Sequence, residues 1–180
     1  SDYMGLKRTE ARPVVEGLMR DGTLASVKAR LASGEVRTLV IHRDDLPRLE
    51  QAADGALAPG QTTLLSPFDN LFWARGRDMQ LWGFEQVLEA YKPRAARRWG
   101  YFCMPILHGD RLVGRIDPKM DRGTGTLRLV NIYLEPGVPP HGKLVASLAR
   151  ALRDFMAFHG ARDLVVERSQ PADLGPKLLG

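Results

Sequence analysis

The sequence predicts an α+β fold, in which a partial winged helix precedes a mostly antiparallel β-rich domain with a C-terminal helix and closing strand. Three observations carry that prediction. Helix, hairpin and helix patterns follow one another over residues 1–58. Strand patterns separated by Gly/Asp-rich turns fill residues 99–134. One strongly periodic helix and one short apolar strand come after them. Strands in succession, then a helix and a strand, argue for an antiparallel sheet rather than alternating βαβ units.

Asp2-Tyr3-Met4 reads as a helix end and Gly5 as the turn after it. A second helix starts near Thr9 and stops at Gly22, with Val14, Val15, Leu18 and Met19 on one face. Pro13 is tolerable in or just after the first turn. Strands are expected over Thr23–Leu31 and Val36–His42, joined by Ala32-Ser33-Gly34-Glu35, whose glycine suits a tight hairpin. Residues 44–54 form a short amphipathic helix with Pro47 near its start. This is the layout of a winged helix entered late, so the chain is expected to be a piece of a longer protein. "GALAPGQ", residues 55–61, reads as a linker. The expected domains are therefore 1–58, a truncated winged helix, and 59–180, the α+β domain.

In the second domain "TTLLSP" is a short strand. Ser66 then has the chemistry of an N-cap, Pro67 fits the first helical position, and Asp69 falls where a capping-box carboxylate belongs. A helix through Leu71, Phe72 and Trp73 is the expectation, with Ser66, Asp69 and Asn70 as its ordering residues. Residues 83–98 read as a strand followed by a basic loop or helical turn. Three strands follow, Trp99–Leu107, Arg111–Pro118 and Thr126–Leu134. Lys143–His159 is a helix through Leu144, Leu148, Leu152 and Phe155, capped by Gly160, and "RDLVVE" is the closing strand.

Hydrophobic residues make up 44% and charged residues 26% of the chain, ordinary values for a globular protein. No apolar run approaches a membrane span, and residues 1–20 carry no signal-peptide core. Cys103 stands alone in an apolar run, which excludes an internal disulfide and a multi-cysteine zinc site and reads as core. The four histidines lack ligand spacing. A cytoplasmic protein with no metal and no cofactor is expected. The net charge of +5 lies entirely beyond residue 60, which fits an anionic partner.

Lys92, Arg94, Arg97 and Arg98 are interleaved with Tyr91, Trp99 and Tyr101. Guanidiniums at that spacing can bind successive phosphates while an aromatic packs on sugar or base; a solvated loop beside a core tryptophan is the competing reading. His108 and Arg111 lie in one hairpin turn, Lys119 and Arg122 at or near another. Period two puts Arg111, Arg115 and Lys119 on one face as a basic stripe, against the alternative of an edge kept soluble by charge. Arg75 and Arg77 can face phosphate or pair with Asp78 and Asp69. Arg8 and Arg12 open the second helix of the winged helix, the usual groove-reading element.

"SPFDNLFWARGRDMQLWGF" and "LEAYKPRAARRWGYFCMPILHGDRLVGRIDPKMDR" resemble the YcaQ/AlkZ-type DNA glycosylases. These enzymes act on alkylated bases and unhook interstrand crosslinks. The resemblance runs from Asp2 to Glu167 and is specific between Ser66 and Arg122. It implies the last of several tandem winged helices followed by the C-terminal domain of a concave DNA-binding surface, with a hairpin reaching toward the minor groove. It implies double-stranded DNA as partner, together with the missing N-terminal winged-helix region of the same protein; a monomer without membrane attachment is expected. The family's Gln-x-Gln or Gln-x-Asp catalytic motif is missing: none of Gln51, Gln61, Gln80, Gln86 and Gln170 has Gln or Asp two positions on. No catalytic residue is therefore assigned. The expected function is DNA backbone grip and a probing hairpin in a repair glycosylase-like protein. The alternative is a winged-helix transcription regulator with a ligand-binding or dimerisation domain. An acyltransferase ranks lower, because the prolines of "EPGVPPHGK" remove the amide donors a phosphate cradle needs.

Overall fold

The computed structural model describes residues 5–180, so the expected helix end at Asp2, Tyr3 and Met4 lies outside the described residues. The chain forms two compact units, Ser1–Ala58 with Asn70–Glu85, and Pro59–Asp69 with Gln86–Gly180. Both helices and strands are present, as an α+β chain requires.

In the first unit, α1 spans Arg8–Arg20. The Glu10 carboxylate reaches back to the Lys7 N–H at 3.2 Å, satisfying a donor the helix start leaves open. Strands β1 (Leu24–Arg30) and β2 (Val36–His42) pair antiparallel from Leu24↔His42 to Arg30↔Val36. Their connection turns at Gly34, whose positive φ of 87° explains the glycine. A 3-10 turn leads into α2 (Leu46–Ala53), with Pro47 in its first turn. A backbone bond from Ala32 N–H to Gln80 O, 2.8 Å, ties the hairpin end to α3 (Arg77–Trp82).

The helix expected after Ser66 does not form. The Ser66 hydroxyl accepts the Phe68 N–H at 3.1 Å and its carbonyl accepts the Asp69 N–H at 2.9 Å. Both bonds close a turn, and only a single 3-10 turn, Asn70–Phe72, follows. The local chemistry that marks an N-cap also makes a turn, and here the turn takes it.

The second unit is built on a sheet ordered β3 (Thr62–Leu64), β4 (Met104–His108), β5 (Arg111–Asp121), β6 (Thr126–Leu134), β7 (Asp163–Val166). The first four pair antiparallel; β7 and β8 (Ser169–Gln170) pair parallel to β6. Helix α4 (Gly142–His159) buries Leu144, Leu148, Ala151 and Leu152, the face its periodicity predicts, and Gly160 caps it in the left-handed conformation. Those leucines pack with Ile106, Ile116, Leu127, Leu129 and Ile132, and Leu174 and Leu178 of a short α5 (Leu174–Leu179) complete the core. Burying a Leu or Ile side chain contributes about 1.5–3 kcal/mol each, so this cluster dominates the unit's stability.

Two bulges set which residues face the core. Leu107↔Leu112 is followed by Ile106↔Gly114, leaving Val113 extra on β5. Asp117↔Asn131 is followed by Pro118↔Leu129, leaving Val130 extra on β6. A bulge reverses side-chain parity. Leu127 and Leu129 before the second bulge, and Ile132 and Leu134 after it, therefore all reach the core. Gly114 has no room for a side chain, which would strike the Tyr133 carbonyl oxygen across the ladder.

Candidate nucleic-acid interface

On β5 and β6 the residues between the core positions are polar: Arg115 pairs across the ladder with Tyr133, and Asp117 with Asn131. Residues 94–101 line a cleft together with this face of the sheet. Its volume is about 810 Å³, and it is bounded by Arg94, Arg97, Arg98, Trp99, Tyr101, Asp117, Lys119, Asn131, Tyr133 and Arg168 among others.

Two carboxylates hold the wall of this cleft. Glu89, 2% exposed, accepts the Trp99 N–H at 2.7 Å and the Gly100 N–H at 3.4 Å, while its other oxygen meets Lys92 Nζ at 2.9 Å. Asp117, also buried, accepts the Tyr101 and Phe102 N–H groups at 2.9 and 3.0 Å. Four consecutive backbone donors thus find side-chain acceptors, and the strand expected from Trp99 begins only at Met104. Burial raises the Glu89 pKa, but the hydrogen bonds from Trp99, Lys92, Arg98 and Gly100 outweigh it and carry the carboxyl down to about 2. Gly100 has no alternative, since a side chain there would collide with the Asp117 carboxylate.

Two guanidiniums lie over the Trp99 ring. The Arg115 guanidinium lies 4.1 Å from the ring centroid and that of Arg98 4.2 Å, with the Tyr133 ring edge-on at 5.3 Å. Arg115 is 1% exposed and bonds Glu135 Oε1 at 2.6 Å. A desolvated cation–π contact contributes about 2 kcal/mol. The chain Glu135, Arg115, Trp99 therefore sets where the exposed Arg98 guanidinium sits. Arg97 stacks over Tyr101 at 4.9 Å and donates to the Lys92 carbonyl at 2.9 Å.

The charge around the cleft is not neutralised. Among the described residues no ion pair or side-chain hydrogen bond engages Arg94, Arg98, Lys119 or Arg168. Asn131, 4% exposed, donates from Nδ2 to the Trp99 carbonyl at 3.2 Å, while its Oδ1 has no hydrogen-bond partner among the described residues. A buried acceptor left so costs roughly 1–3 kcal/mol. No side-chain hydrogen bond engages the Tyr133 hydroxyl either, and burial raises its pKa.

The structure gathers only part of the residues singled out from sequence. Arg94, Arg97, Arg98 and Lys119 share the cleft. Lys92 is tied to Glu89. The expected stripe of Arg111, Arg115 and Lys119 is broken: the Val113 bulge separates Arg111 in parity from the other two, and Arg115 is buried. Arg111 and Arg122 are exposed outside the cleft lining. The Arg122 turn is ordered by Asp121, whose carboxylate accepts the Gly123 and Thr124 N–H groups at 3.0 and 3.3 Å and so has a lowered pKa. His108 bonds Thr62 Oγ1 at 2.7 Å, and burial, then His141 and Lys143, lower its pKa, which disfavours a phosphate-binding cation. In the first unit Arg8, Arg12, Arg75 and Arg77 are exposed, and Arg12 is paired with Glu16 at 2.8 Å.

Sequence reasoning missed Glu89, Asp117, Asn131, Tyr133 and Arg168. Asp117 left a signal, an acid inside the apolar run of a strand; the others left none. Among the described residues no group of three or more His, Cys, Asp or Glu is placed to hold a metal, and no helix is long and apolar enough to cross a membrane. Cys103 is buried, and its thiol is pushed up to about 12, by burial first and by Asp117 second, which makes it a poor nucleophile.

A family model described as DNA glycosylase AlkZ-like matches residues 1–158. No solved structure matches the chain.

Proposed function

The chain belongs to the AlkZ-like DNA glycosylase family, and on that premise we propose that it grips the DNA backbone for a repair glycosylase acting on alkylated or crosslinked bases. The observation that carries this reading is the set of cations without ion pairs, Arg94, Arg98, Lys119 and Arg168, around one cleft. Unneutralised guanidinium and ammonium groups that converge favour a polyanion, and membership of a DNA glycosylase family supports DNA as that polyanion.

The division of labour follows from the geometry. Arg98, steadied by Trp99, and Arg97, steadied by Tyr101, present guanidiniums to phosphate oxygens at reduced entropic cost. The β5–β6 turn with Arg122 is the probing hairpin, kept in shape by Asp121. The helix–hairpin–helix of residues 8–53 is read as the rear part of a winged helix, with Arg8 and Arg12 on its outer helix. Catalysis is assigned to no residue here, because Gln-x-Gln and Gln-x-Asp are both absent from the chain.

Fluorescence anisotropy with duplex DNA across a salt series tests this. Each phosphate contact contributes roughly −0.9 to the slope of log K against log salt, so the four unpaired cations together with Arg97 predict a slope near −4 to −5. Sequence-indifferent binding with that slope is the expected result. No binding at low salt would remove the reading.

A further inference from the structure

We infer that the outer edge of β3, with the groove between it and α4, takes an extended peptide segment of another protein as an added strand. That segment carries an acidic and a basic side chain two residues apart. The inference is independent of the DNA-binding reading and lies wholly within the second unit. Strand β3 ends the sheet and pairs only with β4. The Gln61 carbonyl accepts the Gly109 N–H, and the Leu65 N–H donates to the Pro105 carbonyl, both at 2.8 Å. Backbone groups alternate in direction along a strand, so Gln61, Thr63 and Leu65 turn theirs to β4 while Thr62 and Leu64 turn theirs outward. Among the described residues no hydrogen bond engages those outward N–H and C=O groups. An edge is ordinarily guarded by a lysine, a proline or a bulge. The stretch Gln61–Leu65 holds no charge and no proline, and its pairing with β4 runs without a register shift.

Helix α4 forms the other wall of the groove. The volume is about 460 Å³, and Ala146, Ser147, Arg150 and Asp154 line it together with Thr62 and Thr63. From Ala146 to Asp154 the helix advances about 12 Å, and the chain from Gly60 to Thr63 about 10 Å, so the two walls match in length. Ala146 and Ser147 are small, which leaves room for a backbone to approach. Arg150 and Asp154 are exposed and four apart on one helix, yet among the described residues no ion pair engages either. A base followed by an acid is the weaker order for such a pair on a helix. Their spacing along the axis, about 6 Å, is close to two residues of a strand, about 6.6 Å. An added strand therefore sets alternate side chains, one acidic and one basic, opposite Arg150 and Asp154.

The test uses the full chain and two labelled peptides built of valine and threonine. One carries a glutamate and, two residues on, a lysine; the other has the two charges exchanged. Anisotropy measures binding, and amide hydrogen exchange reads the strand edge. One peptide should bind and slow exchange at Thr62 and Leu64 by roughly tenfold or more, while Thr63, already bonded to β4, stays unchanged. It should bind roughly fivefold tighter than its charge-exchanged counterpart, the sum of several exposed ion-pair effects. The double variant Arg150→Asp with Asp154→Arg should invert that preference. Absence of saturable binding by either peptide would overturn the proposal, as would slowed exchange at Thr63 without change at Thr62 and Leu64. Slow exchange of Thr62 and Leu64 in the chain without peptide would overturn it too, and loss of that protection on dilution would assign the edge to a second copy of the chain. A preference that fails to invert in the double variant would overturn the assignment of Arg150 and Asp154 as the recognising pair.

Discussion

The two compact units bury apolar residues to different extents, the first burying Leu31, Ala74 and Phe84 and the second a larger cluster. In the first, neither helix α1 nor α2 buries a residue fully, and Val14 and Val40 stand 60% and 48% exposed. In the second, Ile106, Ile116, Leu129, Ile132 and Leu148 are all 0% exposed in one cluster. The second unit also buries its charged side chains with partners, Glu89 on backbone donors and Lys92, Arg115 on Glu135, Asp117 on backbone donors. A polar site holds fixed distances only when the packing behind it is rigid. The dense apolar face of the sheet under α4 is therefore what lets the opposite face carry a defined cleft.

Leu148→Ala should break that asymmetry most strongly. It opens a cavity against α4 and should cost about 2–5 kcal/mol of stability in a urea titration. Glu89→Gln comes next, at about 1–3 kcal/mol, since the amide loses the charge that four donors surround. Its sign with pH is fixed. The Glu89 pKa is depressed from the usual 4.5 to about 2, so its contribution is complete above 4.5 and is lost as pH falls toward 2. Acid titration of the native chain should therefore show a loss of stability in that window that is smaller in the Glu89→Gln chain.

Lys119→Ala should leave stability within about 0.5 kcal/mol and instead reduce the salt slope of duplex binding by roughly 0.9. The smallest effect belongs to Val14→Ala, expected within about 0.5 kcal/mol in the same urea titration. A loss there comparable with Leu148→Ala would show that α1 carries a packed face in solution and would end the contrast between the units.

Residues whose environment is local were legible in the sequence. The leucines of α4 repeat with helical period, Gly160 stops it, and Thr126–Leu134 alternates enough to be read as a strand. The wall of the cleft was not legible. Trp99, Tyr101 and Phe102 have strand-forming side chains, yet their N–H groups are taken by carboxylates from Glu89 and Asp117. Those acceptors come from distant positions, and no local pattern announces them. The bulges at Val113 and Val130 change side-chain parity, which is why period two misplaced Arg111 relative to Arg115. Arg168 reaches the cleft only because the last strands return parallel to β6. At Ser66 the difficulty was different: one hydroxyl suits both a cap and a turn, and spacing alone does not choose between them.

The three tryptophans give the most direct test of where DNA meets the chain. Trp73 and Trp82 belong to the first unit, Trp99 to the second. Their indole ¹⁵N–¹H resonances, assigned by single Trp→Phe variants, can be followed while duplex DNA is titrated at low salt. The account predicts that the Trp99 resonance shifts with saturation, because Arg98 and Arg115 lie over its ring at the cleft wall. A saturating shift of Trp73 or Trp82 with Trp99 unmoved would contradict it.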